Sequence, residues 1–163
     1  MTGARAMSDF ELTRYLPYLV NRAGVRIATA FAEVLREHAV TLPMWRVLAA
    51  LDHADGQRIS DLAALTSIDV STLSRIIDTM QVKGLVERRR GNGGDARVVT
   101  VHRTKAGHSL TGKIIPHARH YEEVALRGFT PDEEAALKAM LVRVYGNIAA
   151  LEDEALEEKT KAA

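Results

Sequence analysis

Apolar residues recur at helical spacing along most of the chain. From Phe10 to about His38, Leu12, Tyr15, Leu16 and Leu19 are followed by Val25, Ile27, Phe31, Val34 and Leu35. So wide a stripe with few acids predicts one long helix buried on more than one side. Pro17 lies early in the run and either bends this helix or marks where its regular part begins. The segment "TLPMWRVLAALDH" predicts a second helix, with Thr41 as N-cap, Pro43 in the first turn and Trp45, Val47, Leu48 and Leu51 on its apolar side. "ADGQR" reads as a turn, "SDLAAL" as a short helix capped by Ser60, and "TSIDVS" as another turn. "VSTLSRIIDTMQVKG" predicts a helix running from an Asp69 cap to a Gly84 stop.

The period then changes. "LVERRR" and "RVVTVHR" predict two strands, joined by a turn in which Gly91, Asn92, Gly93 and Gly94 supply positive φ angles. Helical spacing returns from about Thr104 to Arg127, with Pro116 as a point of kinking. Thr130-Pro131-Asp132-Glu133 is a capping box that opens the last helix, and the acidic tail after about Leu156 is expected to fray. The predicted fold is mainly α with one β-hairpin.

Composition narrows the function classes. At 163 residues the chain suits one domain with a real core, and 47% hydrophobic with 26% charged residues is the balance of a soluble globular protein. There is no cysteine, which removes disulfides, thiol catalysis and Cys-based zinc sites together. No apolar h-region opens the chain and no apolar run approaches membrane length, so the expected location is the cytoplasm, away from membrane. Net charge is only +1, yet four arginines face two acids between Glu87 and Arg97, and acids dominate after Leu151. A basic tip on a nearly neutral protein is either a solvated loop or a nucleic-acid footprint.

That tip also tests a catalytic or cofactor reading. Gly91-x-Gly93-x-x-Ala96 loosely fits the dinucleotide fingerprint, which requires a helix straight after the glycines to hold the pyrophosphate. Here "VVTVHR" follows, which is strand-like, and the chain lacks GxxxxGK followed by Ser or Thr. No nucleophile elbow or metal motif places Ser, His and Asp together either. The expectation is a protein that is not an enzyme and takes no cofactor.

The helix "DVSTLSRIIDTM" is more informative. Leu73, Ile76, Ile77 and Met80 form one apolar face, and Ser71, Ser74, Arg75 and Asp78 form the other, with Thr72 beside them. A face turned only to water usually carries Glu and Lys. Small hydroxyls permit close approach and can reach phosphates or base edges, and arginine can pair bidentately with guanine. The first N–H groups of the helix would add a phosphate site. An ordinary solvated face with an Arg75–Asp78 pair accounts equally well for this helix alone. A short helix, a turn, this helix and then a basic hairpin together read as a winged helix-turn-helix. Its second helix would enter the major groove and its hairpin would reach phosphates or the minor groove. The DNA-contact candidates are Ser71, Thr72, Ser74, Arg75, Arg88, Arg90 and Arg97, with Asp95 placed to orient Arg97.

With these residues in view, the chain resembles the MarR family of bacterial transcription regulators from about Phe10 to Leu151. "LPMWRVLAAL", "ISDLAAL", "DVSTLSRIIDTMQVKGLVERR", Asp95-Ala96-Arg97 and "VHRTKAGHSL" carry the resemblance. It implies a homodimer whose first and last helices interlock, one winged helix-turn-helix per subunit, and an effector pocket between the two parts. By motif position, Ser71, Thr72, Ser74 and Arg75 match recognition-helix contacts and Arg97 matches the wing arginine. The wing departs from the family pattern, being glycine-rich where proline and acidic residues are usual. The expected organisation is a winged helix-turn-helix over 39–104, flanked by dimerisation helices over 8–38 and 105–155, with a frayed tail over 156–163. The expected partners are a pseudo-palindromic double-stranded DNA operator and a second copy of the chain.

The effector is sought in the first helix. Tyr15, Tyr18, Arg22 and Arg26 recur at spacings of three or four and can share a helix side. Two arginines amid apolar residues call for an anionic partner. Inter-subunit salt bridges with the acidic last helix are one answer. The other is an aromatic carboxylate or its coenzyme A thioester, with Trp45 as a further candidate for the site and the repressor released on binding. The segment resembles family members that regulate aromatic-acid degradation. Two further readings compete: a metal-responsive regulator of the same fold, using His117, His120, Glu122 and Glu123, and a winged-helix module for protein–protein assembly.

Overall fold

The computed structural model describes residues 10–90 and 98–161. A 3₁₀ turn, Leu12–Arg14, precedes helix α1 (Leu16–Glu37), with Pro17 in its first turn. Pro17 therefore marks where the regular helix begins, because a ring that lacks an N–H costs nothing there. Helix α2 (Leu42–His53) follows, then strand β1 (Gln57–Arg58), helix α3 (Ile59–Thr66), helix α4 (Val70–Val82), strands β2 (Val86–Arg90) and β3 (Val99–Arg103), and helices α5 (Lys105–Ala125) and α6 (Pro131–Lys161). The architecture is the expected one: mainly helical, with a winged helix-turn-helix built from α3, α4 and the β2–β3 hairpin.

The predicted caps mostly hold. Thr41 Oγ1 accepts from the Met44 N–H, and Asp69 Oδ1 accepts from the Thr72 N–H at 2.9 Å. Thr130 and Glu133 cap each other, since the Thr130 N–H donates to Glu133 and the Glu133 N–H donates to the Thr130 hydroxyl. Ser60 does not cap α3. The helix starts earlier, after Arg58, and the Ser60 hydroxyl turns to Asp61 instead. "ADGQR" is more than a turn as well: Gln57 and Arg58 pair antiparallel with Val101 and Thr100, giving a three-stranded sheet in the order β1-β3-β2. Helix α6 is continuous through Lys161, past the point where fraying is expected.

Division of the chain by compactness gives two units, 10–121 and 122–161 within the described residues. The core of the first joins Phe31 and Leu35 of α1, Val47, Leu48 and Leu51 of α2, Leu62 of α3, Leu73, Ile77 and Met80 of α4, Val101 of β3 and Ile114 of α5. Phe31 also sits edge-on to Trp45 and Tyr121, each at 5.6 Å between ring centroids. Only the C-terminal half of α1 is buried by the chain itself. Leu16, Leu19, Val20, Val25 and Ile27 are exposed, so the burial on more than one side expected of this helix is not supplied by the single chain. In the second unit, Met140, Leu141, Val142, Tyr145 and Ile148 of α6 are exposed too.

Helix α5 is set by two close approaches. The Thr104 hydroxyl donates to the Gly84 carbonyl at 2.6 Å and accepts from the Gly107 N–H at 3.1 Å. Gly107 lies so near the backbone at Leu85 that a Cβ there would fall 2.1 Å from the Leu85 carbonyl oxygen. Only glycine permits this seating, and it fixes the end of α4, the start of the wing and the start of α5 against one another.

Candidate nucleic-acid interface

Helix α4 is held by its apolar face and offers the other. Leu73, Ile77 and Met80 are fully buried and Ile76 is half-buried, whereas Ser71, Thr72 and Arg75 are exposed and Ser74 is half-buried. The sequence therefore places all four recognition candidates on the accessible side. The chemistry of each is set by its neighbours. Ser71 donates its hydroxyl proton to Asp69 at 2.7 Å, so lone pairs are what it presents outward. Asp69 in turn occupies the Thr72 N–H. Hydrogen bonds from the Thr72 side chain, then from Ser71 and the Thr72 backbone, hold the Asp69 carboxyl well below the usual carboxylate range. An anion approaching this helix end meets a negative charge already seated there. The open phosphate site expected from the bare helix start is thus reduced.

Arg88 is held within the protein. It lies on β2, opposite the buried Val101 of β3, and its side chain is only 25% exposed. Its guanidinium turns back onto α4, where Nη1 pairs with Asp78 and donates to Gln81 Oε1 at 2.5 Å. Nη2 donates to both the carbonyl and the hydroxyl of Ser74, each at 3.2 Å. Asp78 is therefore paired with Arg88 rather than with Arg75. Strand alternation puts Arg89 on the other side, where it pairs with Glu87 on the same strand. Arg90, at the end of β2, is exposed. The wing tip, with Gly91 to Gly94, Asp95 and Arg97, lies outside the described residues.

A polar cluster that sequence reasoning missed braces the base of the wing. Arg103 is buried and its guanidinium pairs with Asp52 at the end of α2. Asp55 accepts from the Arg103 N–H at 3.0 Å, and its other oxygen lies 3.3 Å from His102 Nδ1. His102 Nε2 is 3.0 Å from the Thr100 hydroxyl. Gly56, at φ +74°, packs where a Cβ would sit 2.6 Å from the His102 ring. The available signal was the alternation of β3: Val99, Val101 and Arg103 share the inward face, so a charge at 103 demanded a partner.

The effector candidates are not gathered into one place by the chain. Arg22 stacks on Tyr18, 5.3 Å from the ring centroid, and donates to the Tyr18 hydroxyl at 3.3 Å. Tyr15 packs edge-on to Phe10. Arg22, Val25 and Arg26 line a groove of about 490 Å³ along α1. Trp45 lines a different cleft, of about 480 Å³, with Arg46, His53, Leu65 and Thr66. Among the described residues, no three His, Cys, Asp or Glu side chains are grouped to hold a metal ion, and no helix is long and apolar enough to cross a membrane.

Fold and site together define a winged helix-turn-helix protein whose second helix exposes small hydroxyls and an arginine. The MarR family model matches residues 40–98. A MarR family transcriptional regulator from Silicibacter pomeroyi, solved by crystallography, is 32% identical with a TM-score of 0.78, over 88% of this chain and 97% of that one. The transcriptional regulator TtmR of Methylorubrum extorquens is 28% identical over 88% of this chain and 69% of its own length. BpsR of Bordetella bronchiseptica, whose DNA binding 6-hydroxynicotinic acid regulates, shares the fold at 24% identity and a TM-score of 0.70, over 80% of this chain and 98% of its own. The chain belongs to the MarR family and is a DNA-binding transcriptional regulator.

Proposed function

We propose that the protein is a homodimeric repressor that reads a pseudo-palindromic operator and is released by an aromatic anion. The observation that carries the DNA reading is the outward face of α4. Ser71, Thr72, Ser74 and Arg75 share the side opposite the apolar stripe that buries Leu73, Ile77 and Met80, beside a strand that ends in Arg90. Arg75 reads a base, and Arg90 and the wing-tip Arg97, oriented by Asp95, contact phosphates or the minor groove. The assembly reading is supported by the apolar residues left exposed on α1 and, separately, on α6, since extended exposed apolar surface marks interaction sites. The dimerisation regions are accordingly 8–38 and 105–155, around the winged domain 39–104.

The effector reading rests on the residues that line two open surface grooves: Arg22 and Arg26 beside Val25 and Ala30 on α1, and Trp45 beside Arg46 and His53. Both suit a flat anion. The regulation of BpsR by 6-hydroxynicotinic acid supports an aromatic acid; a coenzyme A thioester keeps the ring but carries its negative charge on the coenzyme's phosphates. The test is selection from a random-sequence duplex library, followed by mobility shift at two salt concentrations with and without benzoate-type acids and their thioesters. An enriched two-fold sequence released by one compound class is the expected result. Enrichment of no duplex would refute the DNA reading, and enrichment without two-fold symmetry would refute the dimeric operator.

A further inference from the structure

Arg88 stands out because its charge is spent inside the protein. Its guanidinium spans residues 74, 78 and 81 of α4, which lie along one side of the helix at spacings of four and three. Asp78 offsets its charge, Gln81 and Ser74 accept from its other Nη hydrogens, and three quarters of the side chain is out of solvent. Bridging β2 to α4 in this way fixes the offset between recognition helix and wing. The bridge also restricts a rotor. With Nη2 donating to Ser74 Oγ, the hydroxyl proton is turned away from the guanidinium and stays available to donate to a partner. Ser71 has the opposite polarity, since its own proton goes to Asp69.

We propose that Arg88 is a positioning residue of the DNA interface, which locks α4 to the wing and presents Ser74 as a hydrogen-bond donor to the nucleic acid. Resting on the DNA-binding reading above, it assigns complementary demands to the two serines. Ser74 meets an acceptor, such as guanine O6, thymine O4 or a phosphate oxygen, and Ser71 meets an amino group of adenine or cytosine. Arg88 itself neutralises no phosphate.

The test uses the full-length protein, the duplex enriched by the wild type, and a random duplex of the same length, over a salt series. Arg88→Met keeps the apolar stem and removes the donors. Affinity for the enriched duplex should fall roughly ten- to a hundredfold, while the slope of log K against log salt keeps its wild-type value. Ser74→Ala should cost less in the Arg88→Met background than alone. A phosphate contact predicts otherwise: the slope falls by about 0.9, and both duplexes lose affinity alike. Asp78→Asn guards against misfolding of the first variant, because it leaves Arg88 in place. A staple predicts weaker binding to the enriched duplex. An arginine held back from phosphate predicts tighter binding to both duplexes and a steeper slope, which overturns the proposal. A wild type that enriches no duplex overturns it together with the DNA-binding reading, whereas an enriched duplex with the phosphate result overturns this inference alone.

Discussion

Substituting Gly107 by alanine tests how the wing is seated. A Cβ at this position falls 2.1 Å from the Leu85 carbonyl oxygen and 3.2 Å from its carbon. Both are backbone atoms, so no side-chain rotation relieves the contact. The oxygen is also engaged, since it accepts from the Thr104 N–H at 3.1 Å. Restoring ordinary contact requires about 1 Å of movement by α5 or by the start of β2. Overpacking of this kind costs about 1–3 kcal/mol, against which replacing a helical glycine by alanine returns up to about 1 kcal/mol. At Gly112, on the same helix, an added Cβ meets nothing within 4 Å, so only the propensity gain remains there. Thermal unfolding at matched protein concentration should place Gly107→Ala below the wild type by several degrees and Gly112→Ala at or above it. Because Leu85 leads into β2, the first variant should also bind its enriched duplex more weakly. Equal midpoints for the two variants would refute the close-approach argument.

Arg75→Ala should relax base preference at one position of each half-site, costing about 1–3 kcal/mol if it pairs with guanine, as read by competition among single-base operator variants. Arg97→Ala should weaken binding across sequences and lower the salt slope by about one phosphate equivalent, read by anisotropy over a salt series. Arg22→Ala and Arg26→Ala should leave a folded, operator-binding protein that aromatic acids no longer release. If one acid releases the wild type and both variants with equal potency, these arginines serve the dimer and not the effector. The Asp69 carboxyl titrates below its ordinary 3.8 in the folded protein. Its stabilisation is therefore complete above that value and fades as pH falls toward the folded one. Chemical unfolding at about pH 5 and about pH 3 should show a larger loss for the wild type than for Asp69→Asn, which keeps an N-cap acceptor but no charge.

Local chemistry along the chain determined most of the fold. The caps at Thr41, Asp69 and Thr130, the stop at Gly84 and the faces of α4 follow from periodicity and from which side chains reach a nearby backbone N–H, matters settled within a few residues. The partners of charged side chains were not legible in this way. Arg88 carries the same chemistry as Arg89 and Arg90, and only the pleat of β2 and its pairing with β3 turn it onto Ser74, Asp78 and Gln81. Asp52 and Arg103 are far apart in sequence, and the two-residue strand at Gln57–Arg58 is too short to show a period of its own. Whether Trp45 shares a site with Arg22 is likewise a matter of packing, since helix spacing orders residues on one element and is silent about the next. The sequence determined which faces exist; the tertiary structure decided which of their charges are spent within the protein and which remain exposed to a partner.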